Sequence, residues 1–197
     1  MKTHRIPTRT IAMTGMLSAV STVLMFFSFS VPLMPSFIKL DFSELPALIA
    51  AFSMGPISGA VVCLVKNLIN MLFSTTGCVG EFANFLLGIF FVIPAGVIYH
   101  YKKSRGGALI GAIAGALAMA VASVPVNYYI TYPVYSLLGT PMDTILGMYR
   151  AINPQVETLW DALVWFNMPF TFIKALCSVA ITFVIYKPLS PLIKGKH

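Results

Sequence analysis

Five apolar runs recur along the chain, each near the ~20 residues a helix needs to cross the hydrocarbon core of a bilayer. They cover Ile11–Leu33, Ile57–Phe73, Phe82–Tyr101, Ala108–Tyr129 and Leu163–Tyr186. Of the 197 residues, 58% are hydrophobic and only 10% are charged, whereas an average soluble domain has roughly 25% charged residues. The mean hydropathy is +0.86. There are too few charges to build a polar surface, so the surplus apolar side chains must face lipid.

A sixth and shorter run, Leu45–Met54, follows Glu44 and stops at Gly55-Pro56. It reads as a short or tilted span, or as one arm of a kinked hairpin with the next helix. Counting it gives six crossings and puts both termini on one side. The charges agree with that count. Lys2, Arg5 and Arg9 precede the first run, Lys102, Lys103 and Arg105 separate the fourth and fifth crossings, and Lys187, Lys194 and Lys196 follow the last. Six crossings place all of them on one face, and basic residues near span ends stay in the cytoplasm. The expectation is therefore an all-α integral membrane protein. Residues 1–197 form a single membrane-embedded domain, a six-transmembrane-helix bundle with a long outer loop after helix 1. It is multi-pass, with both termini cytoplasmic.

The six acids, Asp41, Glu44, Glu81, Asp143, Glu157 and Asp161, then fall on or near the outer half, in loops and span ends. The first run is too long, and lacks a clean small-residue cleavage site, to be a removed signal peptide. Nucleic-acid binding would need a basic face on a folded polar domain, and none is evident; the lipid bilayer is the partner that the basic clusters address. Cys63, Cys78 and Cys177 lack metal-ligand spacing. Cys63 and Cys177 read as buried small apolar residues, and Cys78 as a thiol near the outer surface.

Two outer segments are long, Val31–Ser43 and Gly139–Ala162, the second with a short surface helix expected around Met142–Ala151. Loops of more than ~12–15 residues in a compact protein are usually functional or disordered, and two on one face suggest that they cover something entering from outside. Gly107, Gly111 and Gly115, with Ala108, Ala112, Ala116 and Ala120, repeat at four-residue spacing in the fifth of the six crossings. Such spacing lets helix backbones approach closely. The first run has a shorter version in Gly15 and Ala19, which suits internal packing or a partner protein.

Polar residues inside spans are costly and face a cavity or a partner. Lys66, Asn67 and Asn70 lie in one run, Asn84 follows Glu81 in the next, and Asn127, Tyr128, Tyr129 and Tyr132 close the fifth. Asn167, Thr171 and Lys174 are spaced four and three apart, on one helix face, and Pro169 frees a carbonyl beside them. Phe42, Phe82, Phe85, Phe166 and Phe170 are interleaved with them. This is a lining for a ligand with an aromatic body and a polar, uncharged or mildly anionic tail. Each Asn could equally make an interhelical hydrogen bond, and Lys66 could pair with an acid or snorkel from the inner end. No catalytic constellation competes: the three histidines, His4, His100 and His197, are far apart, and HExxH, GxSxG and P-loop patterns are missing. A binding subunit, not an enzyme, is the expectation, with no metal and no catalytic residues.

Four stretches carry a resemblance to a known family. They are Lys39-Leu40-Asp41-Phe42-Ser43-Glu44-Leu45-Pro46-Ala47-Leu48; Gly55-Pro56 with Gly59 and Lys66-Asn67-Leu68; Gly80-Glu81-Phe82-Ala83-Asn84-Phe85; and Pro169-Phe170-Thr171 with Lys174. In these, and in length and layout, the sequence resembles the riboflavin-binding S components of energy-coupling factor (ECF) vitamin transporters. The resemblance implies a bacterial cell-membrane protein whose outward pocket binds riboflavin, or its phosphate FMN, as transported ligand and not as cofactor. It implies docking on a transmembrane partner, EcfT, coupled to two ATPase subunits, and a toppling motion that releases vitamin inside. Asn127 and Lys174 then correspond to polar ligand contacts, Thr171 stands where some relatives have Asn, and Leu40 and Phe42 correspond to capping-loop residues against the flavin ring. Asp41, Asn67, Glu81, Asn84, Tyr128 and Asn167 complete the expected site on position and chemistry. Ala12, Gly15 and Ala19 stand nearest to the family's A-x-x-x-A partner contact. Rival readings are an S component for folate, thiamine or a related vitamin, a stand-alone ion-coupled transporter, and a membrane enzyme acting on lipid or isoprenoid. The second normally needs a titratable acid at the bilayer midplane, and the third a carboxylate cluster.

Overall fold

The computed structural model describes residues 7–74 and 76–194, with side chains as far as residue 185. Lys2, His4, Arg5, Lys196 and His197 lie outside the described residues, as do the side chains of Lys187 and Lys194. The architecture is all-helical apart from one minimal strand pair. Four helical segments are long and apolar enough to cross a membrane: Thr8–Phe26, Val79–Tyr101, Arg105–Leu137 and Leu159–Ile185. Two shorter apolar helices, Glu44–Met54 and Pro56–Met71, lie between the first and second of these.

Helix α1 (Thr8–Phe26) ends well before the expected Leu33. Beyond it Pro32 and Pro35 cannot continue a helix, and Leu33 adopts a positive φ of 68°. The chain forms an antiparallel pair instead, β1 (Phe29–Ser30) against β2 (Lys39–Leu40), with Phe29 opposite Leu40. Strands of two residues leave no alternating pattern to read. Helix α1 also turns its polar stripe inward, burying Thr14, Ser18, Ser21 and Thr22. Ser18 and Thr22 donate to the carbonyls four residues back, and Ser21 donates to the Ser43 carbonyl.

The kinked-hairpin reading describes α2 (Glu44–Met54) and α3 (Pro56–Met71), which are joined by Gly55 alone. Gly55 holds φ at 107°, a value that glycine reaches without steric cost, and Pro56 starts α3 where a missing N–H is harmless. At Gly59 a Cβ would strike Ala51 and the Ala47 carbonyl, so this glycine sets how closely α2 and α3 approach. Helix α4 (Val79–Tyr101) packs along α5 (Arg105–Val126). The small residues of α5 serve that contact: a Cβ at Gly111 would run into the Ala95 carbonyl, and one at Gly115 into the Phe91 carbonyl. Ala112 and Ala116 are fully buried between the same helices, beside Phe91 and Ala95.

Two π-helical turns interrupt the last long segments. Asn127–Thr131 leads from α5 into α6 (Tyr132–Leu137), and Leu163–Asn167 leads from α8 (Leu159–Ala162) into α9 (Met168–Lys194). Each is followed two residues later by proline, Pro133 and Pro169. A proline ring in a helix strikes the carbonyl four residues back, here Tyr129 and Trp165, and a widened turn relieves that clash. The segment between α6 and α8 contains the expected surface helix, α7 (Met142–Arg150). Cys63 is buried and Cys78 exposed, as read; Cys177 is only half-buried, against expectation, because its face of α9 is not fully covered.

Candidate functional site

A cavity of about 670 Å³ opens beneath the β1–β2 hairpin, within the ~300–1,000 Å³ typical of small-molecule sites. Its walls come from the end of α1, the hairpin, α3, the start of α4, α5, both π turns, α6 and α9. The lining residues belong to the half of the bundle opposite the Gly55 joint and the Lys102–Arg105 turn.

Under the hairpin lies a buried charge cluster. Lys174 Nζ is 2.9 Å from Asp41 Oδ2 and 3.4 Å from Glu44 Oε2, and Lys66 Nζ is 3.0 Å from Glu44 Oε1. Ser43 accepts from Lys66 and donates to Asp41. Glu44 Oε2 faces Lys174 without hydrogen-bond geometry. Two carboxylates and two ammonium groups neutralise one another, as buried charges must. Burial by itself opposes ionisation of Asp41, but the ammonium groups of Lys174 and Lys66 and the Ser43 hydroxyl outweigh it and hold the carboxyl well below the usual range. Asp41, in the segment after β2, and Glu44, at the start of α2, do lie in a loop and at a span end as expected, yet both are buried, since each has a lysine brought to it from another helix. The cluster also settles the choice left open for Lys66, which pairs with an acid.

A second polar group joins α6, α7 and the second π turn. Asn167 Oδ1 accepts from the Tyr149 hydroxyl at 2.6 Å, and Asn167 Nδ2 donates to Tyr132 Oη at 3.0 Å. The two tyrosine hydroxyls bond each other and close a ring. Burial raises the Tyr149 pKa, and the Tyr132 hydroxyl adds to the rise, so Tyr149 stays neutral. Phe37, in the segment between β1 and β2, sits edge-on to Tyr132, Tyr135 and Tyr149, with ring centroids 6.0–6.4 Å apart. That contact ties the hairpin to α6 and α7. Glu81 is held by the Ser74 and Thr76 hydroxyls at 2.7 and 3.1 Å.

Of the expected site residues, Asp41, Glu81, Asn84, Asn127, Asn167, Thr171 and Lys174 line the cavity. Leu40, Phe42, Asn67 and Tyr128 are not in its wall. Leu40 is held in the strand pair, and Phe42 is half-buried beside the ion-pair cluster. Asn67 stands one layer behind, donating to the Cys63 carbonyl and accepting from Asn84 at 3.3 Å. Tyr128 is adjacent to Asn127 in the π turn, so the two side chains diverge, and Tyr128 packs on Trp160 and Tyr129. The wall also contains Met25, Phe37, Thr131 and Tyr135, which the sequence reading did not select. Aromatic and hydroxyl enrichment near the ends of the runs was the advance signal for Phe37, Thr131 and Tyr135, and Met25 carried none. Among the described residues no group of acids, histidines or cysteines could hold a metal ion. Ala12, Gly15 and Ala19 lie on the exposed face of α1, away from the cavity.

The sequence profile of the ECF transporter substrate-specific component matches residues 9–186. The riboflavin transporter RibU of Staphylococcus aureus (strain TCH60) is 36% identical over 180 residues, covering 91% of this chain and 89% of that protein. The riboflavin transporter FmnP of Bacillus subtilis (strain 168) is 30% identical over 187 residues, covering 93% of each. A solved S component of a bacterial ECF transporter superposes with a TM-score of 0.76 at 33% identity, covering 96% of this chain and 99% of that one. Profile, relatives and fold agree, and the chain belongs to the family of ECF transporter substrate-specific components.

Proposed function

We propose that this S component captures riboflavin from outside the cell and delivers it inward with EcfT and two ATPase subunits. The observation that carries the reading is the cavity's chemistry. Aromatic side chains from the hairpin, α6 and α9 face a wall of amides and hydroxyls, and every charge in the central cluster is already compensated. An aromatic ring system with a neutral, hydroxyl-rich tail suits such a site. The names of the relatives point to the same ligand.

In this reading α1, α2, α3, α4, the α5–α6 segment and the α8–α9 segment make six crossings, with both termini cytoplasmic. The cavity then opens outward, under the hairpin. Asn84, Asn127, Asn167 and Thr171 read the ligand's polar edge, Lys174 adds a charge-assisted bond, and Asp41 and Glu81 border them. Leu40, Phe42, Asn67 and Tyr128 support the wall from behind or from the hairpin. Ala12, Gly15 and Ala19 form the partner contact. An added Cβ at Gly15 would meet nothing within 4 Å, so another helix can approach closely there.

The test is to purify the protein in mild detergent from riboflavin-containing culture and record its visible absorbance. A near-stoichiometric flavin spectrum supports the reading, and mass spectrometry of the released dye separates riboflavin from FMN. A colourless protein that leaves added riboflavin fluorescence unquenched overturns it in favour of another vitamin.

A further inference from the structure

Four buried hydroxyls on the helices of this protein share one habit. Ser18, Thr22, Ser178 and Thr182 each donate to the carbonyl four residues back, at 2.7–3.2 Å. Thr131 breaks it. Thr131 is 5% exposed, and its Oγ1 has no hydrogen-bond partner among the described residues. The reason is local: Thr131 closes the π turn, in which the Asn127 carbonyl accepts from the Tyr132 amide five residues on. The wider turn takes away the register in which a threonine normally bonds back to that carbonyl. A buried hydroxyl left this way costs free energy and calls for an explanation, and single π turns recur at functional sites.

Thr131 also lines the cavity, together with Asn127 from the same turn. We propose that Thr131 is a specificity-determining residue of this site, its hydroxyl donating to an acceptor on the bound ligand beside the Asn127 amide. A carbonyl oxygen, ring nitrogen or hydroxyl of the ligand satisfies it. The bond forms out of water, where a site that reads a polar atom discriminates most strongly against an analogue without it. The flavin as ligand rests on the function proposed above; the unpaired hydroxyl does not.

The experiment compares wild type, Thr131→Val and Thr131→Ser, purified free of ligand, by riboflavin fluorescence quenching and by thermal melting without ligand. Valine keeps the shape and removes the hydroxyl. The expected result is riboflavin binding weakened roughly three- to tenfold in Thr131→Val, and restored to within about twofold in Thr131→Ser. The ligand-free melting temperature of Thr131→Val stays level or rises, because an unpaired polar atom has been removed. Unchanged affinity in Thr131→Val overturns the proposal. So does a fall in its ligand-free melting temperature, or a failure to fold, since either means the hydroxyl has a partner within the protein. A folded wild type that does not quench riboflavin overturns the flavin reading separately, and the melting comparison still judges Thr131.

Discussion

Lys174 Nζ stands 2.9 Å from Asp41 Oδ2 although 133 positions separate them in the chain. The segment leaving the hairpin is thereby fastened to the last helix at the cavity wall. Replacing Lys174 with methionine strands Asp41 and one oxygen of Glu44, both interior. Breaking a buried pair from one side costs about 3–5 kcal/mol. Lys174→Met is therefore expected to melt well below wild type in detergent. Asp41→Asn with Lys174→Met should lose less than the sum of the two single variants, because the double change removes both charges. Strict additivity in the melting cycle would contradict the pairing.

The same pair predicts a dependence on acid. Folding holds Asp41 ionised more firmly than the unfolded chain does, so its contribution is complete above the ordinary aspartate value of 3.8. It is lost as pH falls below that value toward the lower folded-state one. Lys174, Lys66, Ser43 and Glu44 are the groups around it. Melting temperature should fall between pH 4 and lower values in wild type, and fall less steeply in Asp41→Asn. Equal acid slopes would remove Asp41 as the source.

Gly115 predicts a purely steric effect. A Cβ there runs into the Phe91 carbonyl, and a helix backbone cannot step aside as a side chain tip can. Gly115→Val should separate α4 from α5 and cost about 1–3 kcal/mol or more. Gly106→Ala, where the nearest neighbour lies 4.0 Å away, should be near neutral in the same melting assay.

The exposed face of α1 predicts a split between binding and uptake. Gly15→Leu adds bulk where nothing else in the protein lies within 4 Å. Riboflavin affinity of the purified subunit should be unchanged, and uptake in cells carrying the partner subunits should drop on the order of tenfold. Uptake at the wild-type rate would remove this face from the contact.

The long apolar segments were legible because spanning length and a scarcity of charge are local properties. The Gly55-Pro56 joint was legible because those two residues act on their own backbone. Lys66 and Lys174 announced themselves as exceptions within apolar runs, but their acids did not. Asp41 and Glu44 sit in a stretch that looks like an ordinary loop and helix start, and only the approach of α3 and α9 makes them interior. The hairpin was missed because two-residue strands carry no periodicity. Thr131 was missed because its peculiarity is a widened turn, and the cause of that turn, Pro133, reads equally well as a helix end.

The ion-pair cluster also orders how the protein can be made. Lys66 and Glu44 lie 22 positions apart, on adjoining helices, and can neutralise each other as soon as α3 has emerged. Asp41 must wait for Lys174, which lies 133 positions further along, in α9. Chains emerge from the N-terminus, so until α9 is inserted the nascent bundle holds one carboxylate without its cation. The cavity wall and the final charge balance are completed in the same event, which makes insertion of α9 the step that turns a set of helices into a receptor.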